Sequence, residues 1–160
     1  MGGNLGNREK TLSEARKMIG KEIGEITKVS SIYETEAWGF ITDQPFLNQV
    51  ILIETKYNAI HTLKLLLGLE EELGRKRTSN SYESRIIDLD ILFYNDTIMS
   101  SEQLNLPHPR MHQRQFTLVP LNEIASQKIH PVYNETICRL MEECLDPSKV
   151  SLFKPMKTNG

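Results

Sequence analysis

Leu12, Ala15 and Ile19 recur at helical spacing behind Asn7, whose side-chain oxygen can cap a helix, and this pattern predicts a first helix from Asn7 to a stop at Gly20. Ile26 to Tyr33 then reads as extended. From Glu34 to Pro45 the periodicity disappears, and Trp38, Gly39, Asp43 and Pro45 mark a long loop between two strands. Phe46 to Thr55 predicts one strand, with Leu47, Ile51 and Ile53 on one face and Phe46, Val50 and Leu52 on the other. Apolar residues on both faces place that strand centrally in a sheet. Asn58 begins a second helix carrying Ile60, Leu63, Leu67 and Leu73, with Gly74 at its stop. Arg75 to Arg85 is polar, basic and aperiodic, and it runs into Ile86 to Tyr94, the strongest strand pattern in the chain. Beyond it the sequence predicts a turn at Asn95-Asp96 and a short strand over Thr97 to Met99. A rigid corner at Pro107 to Pro109 follows, then helices over Arg110 to Phe116 and Thr136 to Leu145.

This order fits the βαββαβ pattern of a ferredoxin-like α+β domain, an antiparallel sheet with helices packed on it, provided that a strand precedes Gly2. Only Met1 stands before Gly2-Gly3-Asn4-Leu5-Gly6-Asn7, which reads as a turn and helix entry, so the expected first strand is largely missing. With 160 residues, 39% of them hydrophobic and 25% charged, the chain suits one globular domain over residues 1–160. A net charge of -2 gives no general pull toward nucleic acid. No apolar run approaches the ~18 residues that cross a bilayer, and the N-terminus does not resemble a signal peptide, so the expected compartment is the cytoplasm. Nothing in the pattern indicates a protein partner. Cys138 and Cys144 lie in a helical apolar stripe with Ile137, Leu140 and Met141, and they read as reduced core residues.

The most informative chemistry is Asp88-Leu89-Asp90 inside an apolar run. On a strand, side chains two apart share a face, so both carboxylates point the same way. Held together among Ile and Leu they repel one another and lose solvation, costs that a hard cation between them offsets. The same spacing also suits a sheet face turned to water. Arg75, Lys76, Arg77 and Arg85 lie within thirteen positions of the pair. Guanidinium forks grip phosphate oxygens while a metal bridges them from the other side, which favours a bound triphosphate. The chain contains no G-x-x-x-x-G-K-[ST] loop, so a P-loop kinase is excluded. Trp38, Phe46, Asn48 and Phe116 form a second constellation, suited to stacking on a flat heteroaromatic ring and bonding its edge, although aromatic residues also fill cores. His108 and His112 are four apart but straddle Pro109, a poor zinc pair; His108 can instead contact a nucleotide or cap the corner.

On these residues the sequence resembles the 6-hydroxymethyl-7,8-dihydropterin pyrophosphokinases of folate biosynthesis, from Gly2-Gly3-Asn4-Leu5-Gly6 to Pro120-Leu121. Arg85-Ile86-Ile87-Asp88-Leu89-Asp90-Ile91-Leu92 is the most specific match. Tyr33-Glu34-Thr35, Asp43-Gln44-Pro45-Phe46-Leu47-Asn48, Glu70 through Arg75, Leu106-Pro107-His108, Arg114 and Phe116 support it in order. The resemblance implies a ferredoxin-like fold and an ATP- and magnesium-dependent enzyme. It moves pyrophosphate from ATP to the pterin hydroxymethyl group and releases AMP. Asp88 and Asp90 are implied as ligands of two Mg2+ ions, with Arg75 and Arg85 as catalytic cations. Phe46 and Phe116 are implied to sandwich the pterin and Asn48 to bond its edge, with Thr35 and Trp38 lining the pocket. Glu70, Arg77, His108 and Arg114 are implied to surround ATP, and loops 34–45 and 75–85 to close over the substrates. The chain departs from the family at Tyr82-Glu83-Ser84, where Trp-Gly-Pro is frequent, at Thr78 in place of a lysine, and at Gln103 in place of an arginine. A binding module on the same fold would release no AMP from ATP, and an unrelated metal-dependent phosphoesterase would hydrolyse without a pterin.

Overall fold

The computed structural model of the chain describes residues 1–36, 44–75 and 84–154. Trp38 and Arg77, with most of the two loops in which they lie, fall outside the described residues. The fold is α+β. In chain order it runs β1 (Gly2–Gly3), α1 (Arg8–Glu22), β2 (Glu25–Val29), β3 (Tyr33–Thr35), β4 (Phe46–Asn48), β5 (Ile51–Glu54) and α2 (Ala59–Glu72). There follow β6 (Met99–Ser100), β7 (Asn105–Leu106), a 3-10 turn (Met111–Gln113), α3 (Gln115–Ala125), α4 (Ile137–Glu143) and β8 (Val150–Leu152). Strands β1-β4-β3-β8 form one antiparallel sheet, while β2-β5 and β6-β7 form antiparallel pairs.

The caps read from the sequence do what their chemistry predicts. Asn7 accepts from the Lys10 N–H at 3.0 Å and Asn58 from the His61 N–H at 2.9 Å. Thr136, expected only as the first residue of a helix, caps α4 by accepting the Arg139 N–H at 3.2 Å. Leu12, Ala15 and Ile19 of α1 and Leu66 and Leu69 of α2 pack with Leu47, Ile87 and Leu89 in the main core. A smaller core gathers Met111, Leu118, Leu121 and Ile137 between α3 and α4. The cysteines are free, but both are only partly buried, and the Cys138 thiol faces the Glu142 carboxylate at 3.7 Å. Among the described residues no helix is long and apolar enough to cross a membrane.

Several expected boundaries move, each for a local reason. Gly20 does not end α1, because a lone glycine is tolerated inside a helix; the chain turns at Gly24, where a Cβ would stand 2.1 Å from the Glu54 carbonyl oxygen. The expected strand from Phe46 to Thr55 is two strands. At the break, Gln49 exchanges backbone hydrogen bonds of 2.9 Å with Met1, and the Val50 N–H donates to the Ser30 hydroxyl at 3.0 Å. The expected strand over Ile86 to Tyr94 forms no ladder. Asp88 makes one antiparallel bridge to Gly2, and the next N–H, that of Leu89, donates to the Glu70 carboxylate at 2.7 Å. The helix expected to close at Phe116 instead starts at Gln115 and continues to Ala125 with Pro120 inside it. The short strand expected at Thr97 to Met99 lies at Met99–Ser100. Gly2–Gly3 supplies a two-residue first strand between β4 and Asp88. The pairing of β8 with β3 has no counterpart in the sequence reading.

Candidate active site

A cavity of about 740 Å³ opens beside Asp88, and Thr35, Phe46, Asn48, Arg85, Asp90, Arg114 and Phe116 line it with Asp88. Residues from β3, β4, α3 and the extended 84–92 segment thus meet at one place, among them the two carboxylates, the aromatic pair and Asn48.

Asp88 is gripped from both sides. Arg75 Nη1 donates to Oδ1 at 2.7 Å and Arg85 Nη1 to Oδ2 at 2.7 Å. Burial, the largest single influence, opposes ionisation of Asp88. Arg85 and Arg75 together outweigh it and hold the carboxyl below the usual carboxylate range. Asp90 behaves oppositely. It is open to solvent through the cavity, yet desolvation by the surrounding protein, and then the Asp88 charge, push its pKa up, with His108 and Arg114 only partly offsetting them. Two adjacent carboxylates whose titrations are driven apart make a site that favours added positive charge.

Glu70 organises the back of this site. Only 1% exposed, it holds Arg75 Nη1 at 2.8 Å and accepts the Leu89 N–H, so one buried carboxylate sets both the arginine and the backbone between the two aspartates. His108 is fixed by its N–H to the Leu92 carbonyl at 2.9 Å, and its Nδ1 accepts from the Arg110 N–H at 3.1 Å. The second contact assigns the proton of the neutral ring to Nε2. Burial first, then Arg114, lowers the His108 pKa, against the opposing pull of Asp90 and Asp88.

At the other end of the cavity, Asn48 Nδ2 donates to the Thr35 hydroxyl at 2.9 Å, both residues being buried. The Arg85 guanidinium lies 5.6 Å from the Phe46 ring centre, and that of Arg114 lies 5.6 Å from the ring of Phe116. Each aromatic wall is therefore tied to a guanidinium that lines the same cavity.

With this arrangement in view, residues 1–126 match the family described as 7,8-dihydro-6-hydroxymethylpterin-pyrophosphokinase. The chain belongs to that family. It is 40% identical over 134 residues to the 2-amino-4-hydroxy-6-hydroxymethyldihydropteridine pyrophosphokinase of Porphyromonas gingivalis, covering 82% of this chain and 90% of the relative. Against the protein of the same name from Bacillus subtilis it is 42% identical over 128 residues, covering 79% and 76%. The folic acid synthesis protein fol1 of Schizosaccharomyces pombe is 36% identical over 147 residues, 91% of this chain and 19% of that longer protein.

Three further residues position the segments around this cavity, and none of them was assigned a role from the sequence. Asn4 accepts the Arg85 N–H at 2.8 Å and donates to the Ser84 hydroxyl at 3.0 Å and the Gln44 carbonyl at 3.1 Å, so it joins the near ends of both loops. Gly3 lets the chain pass Ile86: a Cβ there would lie 2.1 Å from the Ile86 carbonyl oxygen. Arg8 donates to Glu34 and to the Pro45 carbonyl, both at 2.7 Å, and clasps the two ends of the 34–45 loop. A cation in the first helical turn is unfavourable to the helix dipole, and that was the available signal for Arg8.

Proposed function

We propose that residues 1–160 form a single, ferredoxin-like domain that transfers the pyrophosphoryl group of ATP to 6-hydroxymethyl-7,8-dihydropterin in folate biosynthesis. The observation that carries the reading is the continuity of one cavity from the Asp88–Asp90 pair to Phe46, Asn48 and Phe116. A triphosphate at the first end and a flat heterocycle at the second would meet within it.

The donor set suits magnesium. Among the described residues no third acidic, histidine or cysteine ligand joins Asp88 and Asp90. Two carboxylates are the usual protein share of a magnesium shell that phosphates and water complete. Two Mg2+ ions, held by Asp88 and Asp90, would supply neutralisation of charge on the phosphate oxygens. Both Asp88 oxygens are engaged by guanidinium groups, so seating a cation there frees at least one arginine to turn to phosphate. Arg85 also has a buried Nε without a partner among the described residues, a donor suited to a ligand oxygen.

The pterin hydroxymethyl oxygen attacks the β-phosphorus, the bond from that phosphorus to the oxygen shared with the α-phosphate breaks, and AMP leaves with that oxygen. The hydroxyl proton passes to solvent. Phe46 and Phe116 stack on the ring, Asn48 bonds its polar edge, and Thr35 orients Asn48. Arg75 and Arg85 stabilise charge in flight, and Glu70 keeps Arg75 in place; His108 and Arg114 face the nucleotide. Trp38 and Arg77 keep the pocket-lining and ATP-side roles that the resemblance implies.

Incubating the purified chain with ATP, Mg2+ and the dihydropterin, then separating the nucleotides, tests the reading. It expects AMP only when the pterin is present. ADP with phosphate, or AMP at the same rate without pterin, would overturn it.

A further inference from the structure

Behind the proposed pterin pocket, three elements converge on one guanidinium. Side chains alternate along a strand, so Glu34 points to the face of β3 opposite to that of Tyr33 and Thr35. Arg8, the first residue of α1, meets it there. Its Nη1 donates to Glu34 Oε2 at 2.7 Å and, from the same nitrogen, to the Pro45 carbonyl at 2.7 Å. The two acceptors are therefore no farther apart than twice that distance. Each adjoins a residue that lines the cavity, Glu34 beside Thr35 and Pro45 beside Phe46. Thr35 and Phe46 are themselves register partners in the β3–β4 ladder. Arg8 is not among the residues that line the cavity, so it acts on this wall from behind.

A second contact braces Arg8 from the other end of the chain. Its guanidinium carbon lies 5.7 Å from the centre of the Phe153 ring. Phe153 directly follows β8, its N–H donates to the Ile32 carbonyl at 2.9 Å, and it packs against the main core. β8 in turn pairs along the whole of β3, Val150 with Thr35, Ser151 with Glu34 and Leu152 with Tyr33. Both β8 and Phe153 lie outside residues 1–126, the stretch that the family match covers. We propose that Arg8, braced by Phe153, is a positioning residue for the pterin. It sets the spacing of Thr35 from Phe46, and with it the grip of the pocket on the ring, without touching either substrate. This rests on the reading of the cavity as a pyrophosphoryl-transfer site. A guanidinium suits the task because it is planar: it can stack on an aromatic ring while its N–H groups reach carboxylate and carbonyl oxygens, whereas an ammonium supplies only the charge and the donors.

Steady-state kinetics of the full chain test this, varying the pterin at saturating Mg2+ and ATP and then ATP at saturating pterin. Arg8→Ala should raise the pterin KM by roughly tenfold, with smaller changes in kcat and in the ATP KM. Arg8→Lys keeps the charge and the donors and should recover part of the loss. Phe153→Leu should raise the pterin KM by about threefold, and should add little to Arg8→Ala, because both act through the same guanidinium. An unchanged pterin KM in Arg8→Ala, a rise matched by an equal rise for ATP, or full additivity of the two substitutions would overturn the proposal. Should Arg8→Ala fail to fold, Arg8→Lys and Phe153→Leu decide it, and an unmoved pterin KM in both counts against it. The unaltered chain separates the two levels of the argument. Absence of pterin-dependent AMP there removes the transfer reading and this proposal together, whereas its presence with an unmoved KM in the variants removes this proposal alone.

Discussion

Asp88 and Asp90 are two residues apart but are held differently, and their substitutions should separate. Asp90→Asn removes the carboxylate that is open to the cavity without disturbing an arginine clasp, and should lower the rate of transfer by about a thousandfold with the folded spectrum retained. Asp88→Asn also deprives Arg75 and Arg85 of their shared acceptor and should cost stability as well as rate, which urea denaturation measures beside the assay. Asn48→Ala should raise the KM for pterin by roughly tenfold with a smaller change in kcat, since the edge contact proposed for Asn48 is one that ground and transition states would share. Glu70 is the residue whose work the sequence under-reported. Its place near the arginine loop was visible, but its acceptance of the Leu89 N–H depends on a helix end meeting the 88–90 segment, a contact no local pattern encodes. Glu70→Ala should cost about 3–5 kcal/mol, the range for breaking a buried ion pair, read from the urea midpoint. The carboxylates, the arginines and the aromatic pair were legible because each is a chemical type out of place in its surroundings. Asn4 and Arg8 were not, because each acts by joining segments far apart in sequence.

At the scale of elements, caps were legible and strand edges were not. Asn7 and Asn58 each carry a local hydrogen bond, so spacing within a few residues suffices to find them. Whether Ile86 to Tyr94 forms a ladder depends instead on what lies beside it, and among the described residues only Asp88 of that segment is bridged, to Gly2. Close approach is equally non-local. Gly3→Ala would drive a Cβ into the Ile86 carbonyl and displace the segment that delivers Arg85 and Asp88, with a loss of ~2 kcal/mol or more and most of the activity. A second link joins α3 to β3: Glu123 accepts from the Ser31 N–H at 3.0 Å, the Ser31 hydroxyl at 2.9 Å and the Tyr33 hydroxyl at 2.7 Å. Burial, then this bond to Glu123, pushes the Tyr33 phenol up to about 12. Because Phe116 lies in the first turn of α3 and Thr35 ends β3, Glu123→Ala should loosen the two sides of the proposed pterin pocket, visible as a higher pterin KM that Glu123→Gln partly restores.

For the molecule as a whole, the α+β class followed from the order of periodic segments, whereas the division into one four-stranded sheet and two strand pairs did not, because pairing is decided across the chain. Acid stability is another whole-molecule property with an identifiable source. His130 is buried, and its Nδ1 accepts from the Val132 N–H at 3.2 Å, so the ring is held neutral. Desolvation first, then His112 and Lys128, lower its pKa from 6.5 to about 4. Below 6.5 the unfolded chain takes up a proton that the folded ring refuses. The stability contributed by neutral His130 is therefore complete above 6.5 and is lost as pH falls toward about 4. The loss is on the order of 1–2 kcal/mol after solvent screening, and His130→Gln should flatten that part of the urea-midpoint profile.

The central claim is that Asp88 and Asp90 direct the transfer of an intact pyrophosphoryl group to the pterin. Phosphorus NMR of one reaction with ATP, Mg2+ and 6-hydroxymethyl-7,8-dihydropterin tests this most directly. The account predicts equal growth of AMP and of a pterin-bound diphosphate, with both signals lost together in Asp90→Asn. Growth of ADP and inorganic phosphate, or AMP with free pyrophosphate and unchanged pterin, would contradict it.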